Sequence, residues 1–315
     1  MIEVEVTAIH GEAEGIRAFR LASLDGTQLP PFTAGAHIDV HLPGGLIRQY
    51  SLCGDPDAGG PYEIAVLREP ASRGGSEAMH GLAEGARLRI GPPRNLFPLA
   101  EDAPTSLLLA GGIGITPMLA MAQRLHRLGG DFTLHYCARK ATRAAFLARL
   151  REAPFAARVA LHFDDGPAAQ RLDAAALLAT ASGAHVYVCG PSGFMAHVLD
   201  TARALNWPEA SLHREYFTAP PTARADAEAF ELEIASTGEV LVVPAGETAL
   251  RVLLAHGHDI PYSCEQGICG TCPVPLLAGE PDHRDSFMTE DEHARNNEFA
   301  PCCSRAKTAR LVLNL

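Results

Sequence analysis

Apolar and polar positions alternate in IEVEVTAI at 2–9, HIDVHL at 37–42, YEIAVL at 62–67 and ARLRI at 86–90. Period-two alternation puts every second side chain on one face, so each run predicts a short, half-buried strand. Gly and Pro turns separate the runs, and residues 1–98 therefore predict a small antiparallel barrel or sandwich.

The pattern changes from about residue 104 to 218. SLLLAGG at 106–112, FTLHYCA at 132–138, RVALHF at 158–163 and HVYVCG at 185–190 read as buried strands. PMLAMAQRLHRLG at 117–129 and AAFLARLRE at 144–152 read as amphipathic helices between them. Strands alternating with helices imply crossover connections and a mostly parallel sheet, whose ligands bind at the carboxyl ends of the strands.

TAPPTARADAEA at 218–229 is rich in Pro, Ala and Thr and reads as a linker. Beyond it, FELEIA and EVLVVPA predict a hairpin around STG, TALRVLLAHG a helix, and ARLVLNL a closing strand. The 315-residue length agrees with two or three domains, and 47% hydrophobic with 20% charged residues supplies material for their cores.

A net charge of −11 without a Lys/Arg-rich run argues against nucleic-acid binding and leaves a basic protein partner or simple solubility. The N-terminus lacks the basic and apolar regions of a signal peptide, and no apolar run is long enough to span a membrane. A cytoplasmic location is expected, where clustered cysteines more often bind metal or react than form disulfides.

Five of the eight cysteines gather in CEQGICGTC at 264–272 and in the pair Cys302 and Cys303. Cys264, Cys269 and Cys272 have the CxxxxCxxC spacing with which plant-type [2Fe-2S] centres hold three of four ligands. With twenty-nine residues between it and Cys272, Cys302 is taken as the fourth ligand and Cys303 as its neighbour. Gly267 and Gly270 leave backbone amides free to approach the sulfurs. Structural zinc, the competing metal, favours paired short spacings that are absent here; buried free thiols are the remaining alternative.

Three other stretches could hold ligands. RQYSL at 48–52 offers a guanidinium, a flat ring and a hydroxyl, which suits a flavin, although a surface strand of mixed side chains has the same composition. SRGGS at 72–76 can turn backbone amides toward an anion, with Arg73 and Ser76 as further donors; an ordinary turn is the alternative. LLLAGGIGITPML at 107–119 places a glycine turn between a strand and a helix, the context for a pyrophosphate, but matches neither the dinucleotide fingerprint nor a P-loop. In VYVCGPSGFM at 186–195, Cys189 ends a strand where a side chain would stand at a cleft.

Taken in order, RQYSL, SRGGS, AGGIGITPM, CGPSGFM, EYF at 215–217, CEQGICGTC and PCCSR resemble the phthalate dioxygenase reductase family over nearly the whole chain. Vanillate demethylase reductases belong to the same group. The resemblance implies an FMN-binding antiparallel β-barrel at 1–100, an NADH-binding α/β domain at 101–221, a linker at 222–228 and a β-grasp ferredoxin domain at 229–315. It implies that Arg48, Tyr50 and Ser51 hold the flavin and that Arg73, Gly74, Gly75 and Ser76 serve its phosphate. Gly111, Gly112, Gly114, Thr116 and Pro117 would take the nucleotide, Cys189 would lie near the nicotinamide, and Glu215 and Phe217 beside the flavin and cluster.

The implied function is a relay. NADH gives two electrons as a hydride, a [2Fe-2S] cluster accepts one, and a flavin converts between them. The expected acceptor is a terminal oxygenase component of the Rieske type; a cytochrome P450 or separate ferredoxin is the alternative, and a redox sensor the non-enzymatic one. Asp164 and Asp165 after RVALHF favour NADH by repelling a 2′-phosphate, while Arg139 and Lys140 pull toward NADPH. FMN over FAD rests on the family. HRD at 283–285 shares three letters with a kinase catalytic loop but reads as a surface turn, and none of the 14 histidines has a convincing metal-ligand spacing.

Overall fold

The computed structural model describes residues 1–70, 72, 74–181, 183–218 and 228–315. Of the linker expected at 222–228, only Glu228 lies within the described residues. By its contacts the chain divides into two compact units, Met1–Phe217 and Thr218–Leu315.

The first unit begins with six antiparallel strands: β1 (Ile2–Ala13), β2 (Ile16–Ser23), β3 (His37–Leu42), β4 (Leu46–Ser51), β5 (Tyr62–Leu67) and β6 (Arg87–Ile90), ordered β4-β3-β6-β1-β2-β5. A bridge between Leu52 and Ile64 joins the two edges and closes the sheet into a barrel, which leaves no long free edge. The inward residues of the alternating runs, among them Val4, Val6, Ile38, Val40, Ile64 and Ile90, fill its core. Helix α1 (Gly75–His80) follows β5.

The same unit continues with five parallel strands: β7 (Ser106–Gly111), β8 (Phe132–Ala138), β9 (Val159–Phe163), β10 (His185–Cys189) and β11 (Leu212–Glu215), ordered β11-β10-β7-β8-β9. The strands are connected through α2 (Ile115–Leu128), α3 (Leu147–Glu152), α4 (Ala174–Thr180) and α5 (Ser192–Ala204). Helix α3 is shorter than AAFLARLRE predicts: Phe146 takes a left-handed φ of 61°, so Ala144–Phe146 stay outside the helix. Ala144 N donates to the Ala141 carbonyl, and side chains take the next two amides, Ala145 N donating to the Tyr136 hydroxyl and Phe146 N to Glu12. Tertiary partners thus override a favourable local pattern.

Barrel and parallel sheet share one core. Ile16, Ala18, Ala34, Cys53 and Phe97 pack with Met118, Met121 and Ala122 of α2. Arg149 on α3 ties the seam, donating to Glu63 on β5 at 2.7 Å, to the Cys53 carbonyl and to Gln123 on α2.

The second unit holds a five-stranded mixed sheet of β12 (Phe230–Ile234), β13 (Glu239–Val243), β14 (Val274–Ala278), β16 (Glu298–Phe299) and β18 (Arg310–Leu313), ordered β13-β12-β18-β14-β16. Between these come α6 (Ala249–Ala255), β15 (Pro281–Asp282), α7 (Glu290–Arg295) and β17 (Arg305–Ala306), with β15 and β17 forming a two-stranded ladder. Leu250 and Leu253 of α6 pack on Leu232, Leu241 and Leu311 of the sheet. Thr248 caps α6, and Thr289 with Glu292 forms a capping box on α7. Buried Arg305 donates to the carbonyls of Glu228, Pro244 and Glu247 and stacks 4.8 Å from the Phe230 ring. It fastens the start of this unit to the end of the hairpin.

Candidate functional site

Strand β4 carries Arg48 toward α1 and Ser51 toward the end of β11, while Tyr50 packs against the barrel core. A Cβ on Gly75 would lie 2.5–2.9 Å from the Arg48 side chain, so the RQYSL and SRGGS motifs, distant in sequence, meet. Gly74 sits at a φ of 89°, a conformation glycine adopts without strain. The Ser76 hydroxyl is engaged inside its own loop, accepting from Glu69 N and donating to Ser72. Arg73 lies outside the described residues. Burial raises the Tyr50 phenol well above its ordinary value. The charged donor, the half-buried ring and the glycine loop fit a flavin mononucleotide in kind.

Ser51 ends β4 buried, and its hydroxyl donates to Glu215 Oε2 at 3.2 Å. Glu215 ends β11 beside Cys189, the last residue of the neighbouring β10, which in turn pairs with Ala110 at the end of β7. Three strand ends of the parallel sheet and one of the barrel therefore converge. Enclosure around the Glu215 carboxyl pushes its pKa up to about 8, offset in part by the Ser51 hydrogen bond. Cys189 is fully buried, which corrects the expectation that it stands in an open cleft. Burial first and Glu215 second raise its thiol well above the ordinary range.

The glycine turn after β7 explains that burial. A Cβ at Gly114 would lie 2.2 Å from the Cys189 carbonyl oxygen, and one at Gly111 would lie 2.9 Å from Pro191 and Phe194. The two strand-end loops pack backbone on backbone, a spacing only glycine permits. Gly112 is partly accessible at a φ of 55°. Thr116 and Pro117 are buried in the first turn of α2, with the Thr116 hydroxyl turned back to the Ile113 carbonyl. Their side chains shape the turn from within. Phe217, two residues past β11, is 37% exposed.

In the second unit, Cys264, Cys269, Cys272 and Cys302 are each less than a tenth exposed. Their thiols act on one another: Cys269 and then Cys302 draw Cys264 toward the thiolate, and Cys302 does the same to Cys272. Four soft sulfur donors gathered in a buried pocket are the donor set an iron–sulfur cluster requires. Gln266 N points at the Cys264 sulfur at 3.3 Å, and Gly267 and Gly270 have φ of 72° and 59°. Cys303 packs against the cysteine loop, where its Sγ would be 2.5 Å from a Cβ on Gly267.

HRD is not a surface turn. The Asp285 side chain is fully buried and caps Met288 N, and His283 and His293 lie against it. Pattern reading missed this group because His293 belongs to another element, α7. The only signal was the excess of polar letters in a segment with no strand or helix period.

Residues 232–307 match the model of the 2Fe-2S iron–sulfur cluster binding domain, and residues 108–200 that of the oxidoreductase NAD-binding domain. A vanillate O-demethylase oxidoreductase of Pseudomonas sp. (strain HR199 / DSM 7063) is 57% identical over 100% of both chains. The structure of phthalate dioxygenase reductase, described as modular for electron transfer from pyridine nucleotides to [2Fe-2S], is 37% identical, with a TM-score of 0.74 over 99% of this chain and 97% of that one. An intact type IV self-sufficient cytochrome P450 monooxygenase is 38% identical, with a TM-score of 0.89 over 100% of this chain and 41% of that one. Among the described residues no helix is long and apolar enough to cross a membrane. The chain belongs to the family of oxidoreductases that includes vanillate O-demethylase oxidoreductase and phthalate dioxygenase reductase, with an NAD-binding domain and a 2Fe-2S domain in one polypeptide.

Proposed function

We propose that this chain is the NADH-dependent reductase of a terminal oxygenase, acting in the cytoplasm with an aromatic O-demethylase as its partner. NADH supplies a hydride, FMN converts it to single electrons, and the [2Fe-2S] centre carries these outward. Arg48, Tyr50 and Ser51, with Arg73, Gly74, Gly75 and Ser76, hold the flavin. Gly111, Gly112 and Gly114 approach the nucleotide, and Thr116 and Pro117 keep that turn in place. Cys189 and Glu215 flank the nicotinamide, with Phe217 beside the flavin. Cys264, Cys269, Cys272 and Cys302 ligate the iron.

The observation that supports this reading is the convergence of Ser51, Glu215 and Cys189, where the end of β4 meets the ends of β10 and β11. No paired carboxylates are needed, because the chain orients donors and excludes water while the groups it binds carry the electrons. Visible and EPR spectra of the anaerobic protein before and after NADH test it. Bleaching of the flavin with a one-electron iron–sulfur signal is expected; a colourless, iron-free protein after reconstitution sinks it.

A cytochrome P450 acceptor is the second reading, favoured by the self-sufficient monooxygenase whose chain contains a matching part. Electron delivery to a purified demethylase oxygenase and to a P450, measured side by side, separates the two. Asp164 and Asp165, following β9, favour NADH, and a higher kcat/KM with NADPH would overturn that preference.

A further inference from the structure

Outside the iron–sulfur ligands, the second unit contains one further group of ligand-type side chains among the described residues. His283, Asp285 and His293 each offer an atom within 4.8 Å of the others. His293 Nε2 lies 3.1 Å from Asp285 Oδ2, and His283 Nδ1 lies 3.7 Å from Asp285 Oδ1. The two imidazole rings stack at 4.3 Å with their planes 16° apart.

The His283 side chain is only 10% exposed, yet neither ring nitrogen makes a hydrogen bond of ordinary geometry among the described residues. Asn296 approaches it without reaching that geometry. A buried imidazole with both nitrogens unmatched is costly unless something else binds it. One neighbouring carboxylate and a second imidazole supply the remaining donors of a common metal set.

We propose that His283, Asp285 and His293 form a site for a divalent transition-metal ion of zinc's borderline character, distinct from the four-cysteine centre. Two imidazoles and a carboxylate with a water in the fourth position match such an ion, whereas magnesium and calcium prefer oxygen throughout. Ligand bonds of about 2.0–2.2 Å require the three side chains to close by roughly an ångström. The ion would pin α7 to the loop at 282–286. That loop also supports the cysteine segment, because Ser286 N donates to the Gly267 carbonyl and Arg284 N to Ser304.

The test titrates the iron-loaded, flavin-loaded protein with zinc chloride and records zinc-edge X-ray absorption. One equivalent should bind with nitrogen and oxygen neighbours, imidazole scattering and no sulfur at about 2.3 Å. His293→Gln, a change on the partly exposed face of α7, should weaken uptake about tenfold or more while iron content and NADH-driven reduction stay as in the parent. Equal uptake by the parent and His293→Gln, a sulfur shell, or no uptake at micromolar zinc would overturn the site.

Discussion

Gly114 has no room for a side chain. A methyl group there would collide with the Cys189 carbonyl, backbone against backbone, so neither partner can rotate away. Gly114→Ala should therefore abolish NADH-dependent flavin bleaching while leaving the iron–sulfur spectrum intact, as stopped-flow absorbance would reveal. The cysteine pair gives a sharper contrast. Cys302→Ser should lose iron, while Cys303→Ser should keep it, because of the two only Cys302 lies close enough to draw Cys264 and Cys272 toward the thiolate. Iron analysis checks both, and the reverse pattern would move the fourth ligand by one position. Glu215 predicts a pH effect. In the fold it keeps its proton up to about 8, against an ordinary value of 4.5, so between those values the folded state binds the extra proton. Stability then falls as pH rises through that window. In flavin-free protein, Glu215→Gln should flatten the slope measured by thermal unfolding.

At the scale of elements, the alternating runs marked strands because period two leaves a plain imprint: HIDVHL became β3 with its apolar side in the barrel core. The glycine turn at 111–114 and the cysteine spacing were legible for a similar reason, since both chemistries constrain consecutive residues. What escaped was decided by distant partners. Nothing in AAFLARLRE announces that Glu12 and Tyr136 will take the amides of its first turn, or that Ser76 will spend its hydroxyl within its loop. Asp285 gave no hint of its burial, because its partner His293 comes from a helix eight positions on. Arg305 is another long-range tie. Replacing it by Met leaves three carbonyls without their charged donor and should cost about 2 kcal/mol or more. The temperature at which the iron–sulfur colour bleaches is the readout, and no downward shift would assign those carbonyls other partners.

The molecule as a whole is three functional segments in two compact units. Barrel and parallel sheet hold a common interior, in which Cys53 and Phe97 meet α2. A fragment of residues 1–217 should therefore fold, take up flavin and oxidise NADH with ferricyanide, yet fail to pass electrons to an oxygenase. A fragment ending at residue 100 should aggregate, since it bares the apolar side that α2 covers. Gel filtration and acid-released flavin distinguish the outcomes.

That shared interior also sets where such a gene can be cut and rejoined. A crossover near codon 217 exchanges the outlet of the circuit and can fit the same fuel intake to a new consumer, whereas one near codon 100 must find two halves whose buried surfaces already match.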